Sequence, residues 1–233
     1  MSRPHPPMDN TSGPVMRAFE AACLVAAAGL VVTHAVRFAL APELPWWAAV
    51  LAVAVALPAA DFLSGLIHWA GDTWGRATTR WVGPRFLVPF RYHHKHPRAM
   101  LDSPFVTTNG DSALAGCVIL LAAFLIPLPD AGPVAVFVAA LGAWGLPTSQ
   151  IHKWAHHPRP PRAVRWLQRA GLILPPAHHR RHHRPPYSGH YCITTGWCNP
   201  LLERVRFWRA LEWVVRRLTG LTPRAEGEEG GVR

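Results

Sequence analysis

Four stretches of sixteen or more residues, 21–36, 44–60, 112–129 and 131–152, contain no Asp, Glu, Lys or Arg. A helix rises about 1.5 Å per residue and bilayer hydrocarbon is about 30 Å thick, so a span needs roughly 20 residues. With their flanking turns the four stretches meet that length, giving expected spans at 18–37, 44–69 (continuing past Asp61), 112–129 and 131–152. Only Asp130 and its Pro neighbours separate the last two, so they form a tight hairpin. Half of the residues are hydrophobic and 16% are charged, against about 25% charged in a soluble domain. Four such helices would leave a soluble chain of 233 residues too little polar surface to cover them. The expected fold is an all-α integral membrane protein with four transmembrane helices in one domain, 17–222. Disordered tails are expected at 1–16 and 223–233.

The charges set the expected topology. Six basic residues (Arg76, Arg80, Arg85, Arg91, Lys95, Arg98) lie between Gly71 and Asp111, and fifteen more follow Gln150. The opposite loops hold only Arg37, Glu43 and Asp130. The positive-inside rule then places both termini and the central loop in the cytoplasm, in a bacterial cytoplasmic membrane. This asymmetry, together with lipid-headgroup contact, accounts for the net charge of +11 without a nucleic-acid partner. Segments 162–174 and 201–218 read as amphipathic interfacial helices, either lying on the membrane or packed on the bundle. In the second, Leu201, Val205, Trp208, Leu211, Val215 and Leu218 recur at three- and four-residue steps, with the Arg residues largely off that stripe. Cys23 and Cys117 sit in apolar runs, and Cys192 and Cys198 match neither a zinc knuckle nor a redox CxxC. Reduced thiols are expected.

All of the fourteen His except His5 and His34 belong to or flank four clusters on the predicted cytoplasmic side. These are His68 with Asp72; His93, His94 and His96; His152, His156 and His157; and His178, His179, His182 and His183. A four-residue step returns a side chain to the same helix face, so His152 and His156 converge, as do His178 with His182 and His179 with His183. Neutral imidazole suits iron, zinc, copper and nickel alike. A single zinc needs three or four ligands, whereas eight or nine convergent His can hold two ions. HExxH is absent, and none of the seven Glu stands three residues before a His, which removes the carboxylate-bridged di-iron pattern. An all-histidine two-metal site at a histidine-rich membrane face remains, with His96, His157 and His190 as bystanders. Asp72 is expected to orient an imidazole rather than to be a ligand. Asn109 and Asp111 are weaker candidates for orienting ligands or a headgroup.

The segments SGLIHWAGDTWG (64–75), TNGD (108–111), QIHKWAH (150–156), LPPAHHRRHH (174–183) and YCITTGWCNPLLERVRFWRALE (191–212) resemble the membrane lipid-desaturase family. That family contains Kua, the CarF proteins and plasmanylethanolamine desaturase. The resemblance implies a four-span oxidase that uses two iron ions, dioxygen and an external electron donor, cytochrome b5-like or ferredoxin-like. Its substrate would be a membrane phospholipid, most often an alkyl ether converted to the vinyl ether of a plasmalogen. It assigns iron binding to His68, His93, His94, His152, His156, His178 or His179, His182 and His183. Ser103 and Tyr187 stand where plasmanylethanolamine desaturases carry His. The run around Tyr187 is instead similar to the plastid branch, which desaturates an acyl chain of phosphatidylglycerol.

Breaking an unactivated C–H bond needs a strong oxidant, and two irons together supply electrons to cleave O₂. Hydroxylation is a close alternative, since the two outcomes diverge only after the first hydrogen is removed. A metal transporter or sensor would place ionisable ligands along a path through the bilayer, yet away from their ends the spans hold only His34 and Asp61 besides the clustered His.

Overall fold

The computed structural model describes residues 13–224, which form helices and loops with no strand among them. Residues 1–12 and 225–233, most of the two expected tails, lie outside the described residues. Four helical segments are long and apolar enough to cross a membrane. These are α1 (Pro14–Ala39), α2 (Trp46–Thr73), α4 (Phe105–Ala123) and the broken pair α5 (Leu128–Gly145) and α6 (Thr148–His156). Between α2 and α4 lie a π-helical turn, Gly83–Leu87, and α3 (Val88–Lys95). After α6 come α7 (Arg162–Arg169), α8 (Pro176–His182), α9 (Asn199–Arg204) and α10 (Phe207–Thr219).

Helix α1 starts inside the expected tail. Extended Gly13 is followed by Pro14 at the first helical position, where the missing N–H has no intrahelical role and the fixed φ suits the helix. Near the other end, Arg224 donates from its backbone N–H to Thr73 O (2.9 Å) and through Nε to Asp72 O (3.2 Å), so the chain there is tied to the end of α2. Helix α4 begins seven residues ahead of the expected span because its polar first turns find partners: Asn109 donates to Gln150 Oε1 and Asp111 pairs with Arg85. Asp130 is not in the hairpin but in the first turn of α5, where the positive end of the helix dipole favours an acid.

Helix α1 packs on α4, α4 on α5 and α5 on α2. Without a hydrophobic force between helices in lipid, close approach of small residues does this work. Ala48, Ala52, Ala56 and Ala60 are buried at four-residue steps along α2, and Cys23, Ala27, Ala113 and Cys117 join α1 to α4. A Cβ on Gly116 would stand 2.3 Å from Leu146 Cδ2. Large apolar side chains such as Val25, Val32, Val50, Leu51, Val118 and Leu125 point outward, as lipid-facing residues do. At the end remote from the His clusters, Arg37 caps α4 by donating to Ala123 O and Ile126 O at 2.9 and 2.8 Å. Buried His34 contacts Leu120 O there through Nε2 at 2.8 Å.

The expected 201–218 helix is two helices, broken where Arg206 takes φ +53°. The break divides its apolar stripe. Trp208 and Leu202 pack with Trp69, Tyr191 and Cys192 on the bundle, while Leu201, Val205 and Leu218 stay exposed.

Candidate metal centre

Helices α2 and α6 end on the same face, where α3 and α8 lie across them, and these four elements carry the expected ligands. Eight of the nine expected His fall into two groups, in each of which the donor atoms lie within 4.8 Å of one another. The larger group is His93, His152, His156, His179 and His183; the smaller is His68, His94 and His182 with Asp72. The groups adjoin: the His93 and His94 rings are 4.6 Å apart, and those of His68 and His152 are 5.6 Å apart.

Local helix geometry divides the candidate ligands. Adjacent residues on a helix differ by about 100°, so His93 and His94 on α3 face different groups. By the same rotation the angular order around α8 is His178, His182, His179, His183. His182 therefore serves one group, His179 and His183 the other, and His178 falls at the outer edge. There its Nε2 accepts from Asn199 Nδ2 at 3.0 Å. His178, expected as a ligand, is thus not brought to either group.

The donors fit a metal ion rather than one another. His179 Nε2 lies 2.9 Å from His152 Nε2, 2.9 Å from His156 Nε2 and 3.0 Å from His183 Nε2, and His152 and His156 are 3.2 Å apart. A ring nitrogen has one in-plane direction, a proton or a lone pair, so it cannot bond to three neighbours at once. All of them can point at one enclosed ion, for nitrogens held at about 2.1 Å from it sit about 3 Å apart when adjacent. In the smaller group His182 and His94 meet at 2.9 Å through Nε2, and Asp72 Oδ2 is 3.5 Å from Nε2 of His68, His94 and His182. Both carboxylate oxygens of Asp72, and Nε2 of His68 and His93, are buried without a hydrogen-bond partner. Asp72, expected only to orient a ligand, stands among the donors.

Backbone carbonyls set the tautomers. His68 Nδ1 donates to Tyr191 O at 3.0 Å, and His182 Nδ1 to Gly189 O at 2.8 Å. A carbonyl only accepts, so in each neutral ring the proton is on Nδ1 and the Nε2 lone pair faces the group. Burial, aided by neighbouring imidazoles, pushes His94 down to about 2. Burial likewise pushes His182 down to about 3, and His183 down to about 4. His93 and His179 are also driven well below the usual histidine range. The rings are therefore neutral near pH 7, the form that binds metal.

Three residues outside the ligand set hold this arrangement. Buried Asp61 of α2 accepts backbone N–H groups of Thr194 (3.1 Å), Thr195 (2.7 Å) and Gly196 (2.8 Å) on Oδ1, and that of Cys198 (3.0 Å) on Oδ2. Asn199 accepts from Cys192 N and donates to Cys192 O, both at 2.9 Å. Together they fix the 191–199 loop, whose Tyr191 carbonyl sets His68. Arg91 donates to Gly71 O, Trp74 O and Gly75 O, tying α3 to the end of α2. The signal for Asp61 was present in the sequence, since a carboxylate within a span requires a partner, and the TTGW run is that partner.

Asn109 and Asp111 lie outside both groups, as do His96, stacked on Tyr92, and His157, whose Nδ1 accepts from Arg159 N. His190 is also outside, its backbone N–H donating to Glu203. Tyr187 stacks face to face on His94, with centroids 5.1 Å apart, and Ser103 accepts from Lys153 through its carbonyl.

A family model described as a lipid desaturase domain matches residues 57–226, the stretch that supplies all the donors. The chain belongs to the lipid desaturase family. It is 40% identical over 215 residues to plasmanylethanolamine desaturase of Myxococcus xanthus, covering 91% of this chain and 76% of that protein. It is 43% identical over 185 residues to plasmanylethanolamine desaturase 1 of Mus musculus, covering 76% and 68%. Chloroplastic fatty acid desaturase 4 of Arabidopsis thaliana is 36% identical over 72% of this chain and 52% of its own length. No solved structure matches. With four apolar spans, the family member described here is an integral membrane lipid desaturase, an oxidoreductase acting on a membrane lipid.

Proposed function

We propose that this desaturase uses a histidine-bound di-iron centre and dioxygen to convert the alkyl ether of plasmanylethanolamine to the vinyl ether of a plasmalogen. The observation that carries the reading is the pair of adjoining, buried donor groups in a chain similar over most of its length to two plasmanylethanolamine desaturases.

One iron would be held by His93, His152, His156, His179 and His183, and the other by His68, His94 and His182 with Asp72. Oxidation of an unactivated C–H bond by dioxygen is the chemistry such a pair supplies when bound. The protein's own contribution is positional. The Tyr191 and Gly189 carbonyls keep the Nε2 lone pairs of His68 and His182 directed inward, Arg91 sets α3 against α2, and burial keeps the imidazoles unprotonated. Placement at the helix ends lets a lipid keep its headgroup at the interface while the first carbons of its chain reach the centre. Removing two hydrogens while reducing O₂ to two waters consumes two further electrons, so an external donor, cytochrome b5-like or ferredoxin-like, completes the reaction. The one-sided Arg distribution supports a cytoplasmic location for the centre and both termini in a bacterial cytoplasmic membrane.

The test combines metal analysis with lipid analysis. Purified protein should hold close to two irons per chain, and an expressing strain fed alkylglycerol should form acid-labile vinyl-ether lipids only in the presence of oxygen. A single retained zinc would overturn the metal assignment. Active protein that yields only acid-stable double bonds in acyl chains, or a hydroxylated lipid, would overturn the substrate or the outcome.

A further inference from the structure

On the outer side of the smaller donor group lies a cavity of about 430 Å³. Arg181 of α8, Arg184 just beyond it, Arg206 at the break between α9 and α10, and Arg209 in the first turn of α10 line it. All four are exposed, and none has a side-chain hydrogen bond or ion pair to a described residue. Glu203 is the only acid among the lining residues, and its Oε1 already accepts from the His190 backbone N–H at 2.7 Å. The next acid along α10, Glu212, pairs with Arg216 at 3.8 Å. Positive charge is therefore in excess around the cavity. Buried Trp208 lines it too, and its indole N–H has no hydrogen-bond partner among the described residues.

We infer that this cavity and its arginines form the docking surface for an acidic one-electron carrier protein, which delivers the electrons that the proposed desaturation consumes. The inference rests on the di-iron reading above. Gly189 lines the cavity, and its carbonyl accepts from His182 Nδ1 at 2.8 Å, so one hydrogen bond joins this wall to the smaller donor group. Trp208 leads inward by a second route. Its ring is 5.1 Å from that of Tyr191, which is 5.2 Å from His182 and 5.7 Å from His68. Trp208, Tyr191 and Leu202 belong to one buried apolar cluster. A lipid chain entering here meets that packed wall, whereas an electron crosses it through bonded and touching groups. Unpaired guanidiniums take carboxylates through two parallel hydrogen bonds, and a field of one sign steers an oppositely charged partner. Redox partners need only a small interface, below about 1,200 Å². Each reduced carrier gives up one electron and leaves oxidised. Two carriers in succession, with two protons, complete the reduction of O₂ to two waters that the two substrate hydrogens begin.

The test holds the protein in phosphatidylcholine nanodiscs and measures binding of two acidic carriers, a plant-type ferredoxin and the soluble domain of a cytochrome b5, with basic cytochrome c as control. Full-length chain is used, so that Glu226, Glu228 and Glu229, which lie outside the described residues, are present. Metal-free and iron-loaded protein are compared, which reads binding apart from turnover. Both acidic carriers should bind, more weakly as salt is added, and cytochrome c should not. R181Q/R184Q/R206Q/R209Q should weaken binding about tenfold, the value of four exposed ion pairs in the lower part of their usual range. R159Q/R162Q/R165Q/R169Q removes the same charge beside α7 and should bind as wild type does. At subsaturating carrier, stopped-flow absorbance should show slower oxidation of reduced carrier by the first variant than by wild type. Equal weakening in the two variants, or cytochrome c bound as tightly, overturns the docking surface. So does less phosphatidylglycerol co-purifying with the first variant from mixed nanodiscs while carrier binding is unchanged, which marks the patch as a lipid contact. Carriers that bind at the patch but stay reduced on iron-loaded protein overturn electron delivery. A chain that holds one zinc overturns the di-iron reading, and binding to the metal-free protein still decides the surface.

Discussion

Replacing Asp61 by Asn tests whether a residue that belongs to neither donor group governs one of them. The carboxylate accepts four backbone N–H groups and is fully buried. Hydrogen bonds to a charged acceptor are worth about 1.5–3 kcal/mol each and neutral ones about 1. Asn keeps an oxygen for the three donors on Oδ1 but weakens each bond, and it turns an NH₂ toward Cys198 N–H, setting donor against donor. The expected loss is about 3–5 kcal/mol, the range for removing one partner from a buried charged network. That is a large fraction of the roughly 5–15 kcal/mol that holds a typical domain folded. The loss should be concentrated in the 191–199 loop, which carries the carbonyl that sets His68. D61N protein should therefore insert in membranes, melt earlier in detergent and hold less iron, with the smaller donor group affected first. Thermal unfolding followed by chromatography, with metal analysis of the same fractions, provides both readouts. A D61N variant with wild-type melting and full metal content would refute the claim that this carboxylate supports the site.

His179→Ala should cut metal content and abolish turnover, whereas His178→Ala, whose ring meets Asn199 outside both groups, should keep its metal; equal loss in the two would contradict the division of α8. Metal-free protein should lose stability as pH falls. Buried His182 and half-buried His183, at about 3 and about 4 against an ordinary 6.5, bind protons later than in the unfolded chain. Their contribution is thus complete above about 6.5 and declines toward 3, as pH-dependent melting of chelated protein would show. Gly65→Ala places a Cβ 2.5 Å from Cys192 Sγ and should cost about 1–3 kcal/mol as overpacking does, measured as a lower melting temperature with topology unchanged.

The spans and the histidine face were legible because charge-free length and imidazole spacing are local properties of a chain. The start of α4 was not, since Asn109 and Asp111 read as loop residues until Gln150 and Arg85, distant in sequence, are seen to satisfy them. The place of His178 was hidden for a related reason. Four-residue spacing pairs it with His182, but only the position of Asn199 shows on which side of the helix the donor group ends. Asp72 was read as a supporting residue because spacing from His68 gives proximity to one ring, whereas it contacts three. Asp61 resembled a stray ionisable group, and its role depends on a loop more than 130 positions away.

Helix α8 is one short element that supplies donors to both groups, so if each group takes an ion, as proposed, their occupancies would be linked thermodynamically. An ion held by His179 and His183 would immobilise the helix and so bring His182 to its place, reducing the ordering entropy that a second ion must overcome. The coupling is reciprocal, whichever group fills first. Metal titration of the empty protein should consequently be steeper than two independent isotherms, with chains carrying a single ion scarce at half saturation.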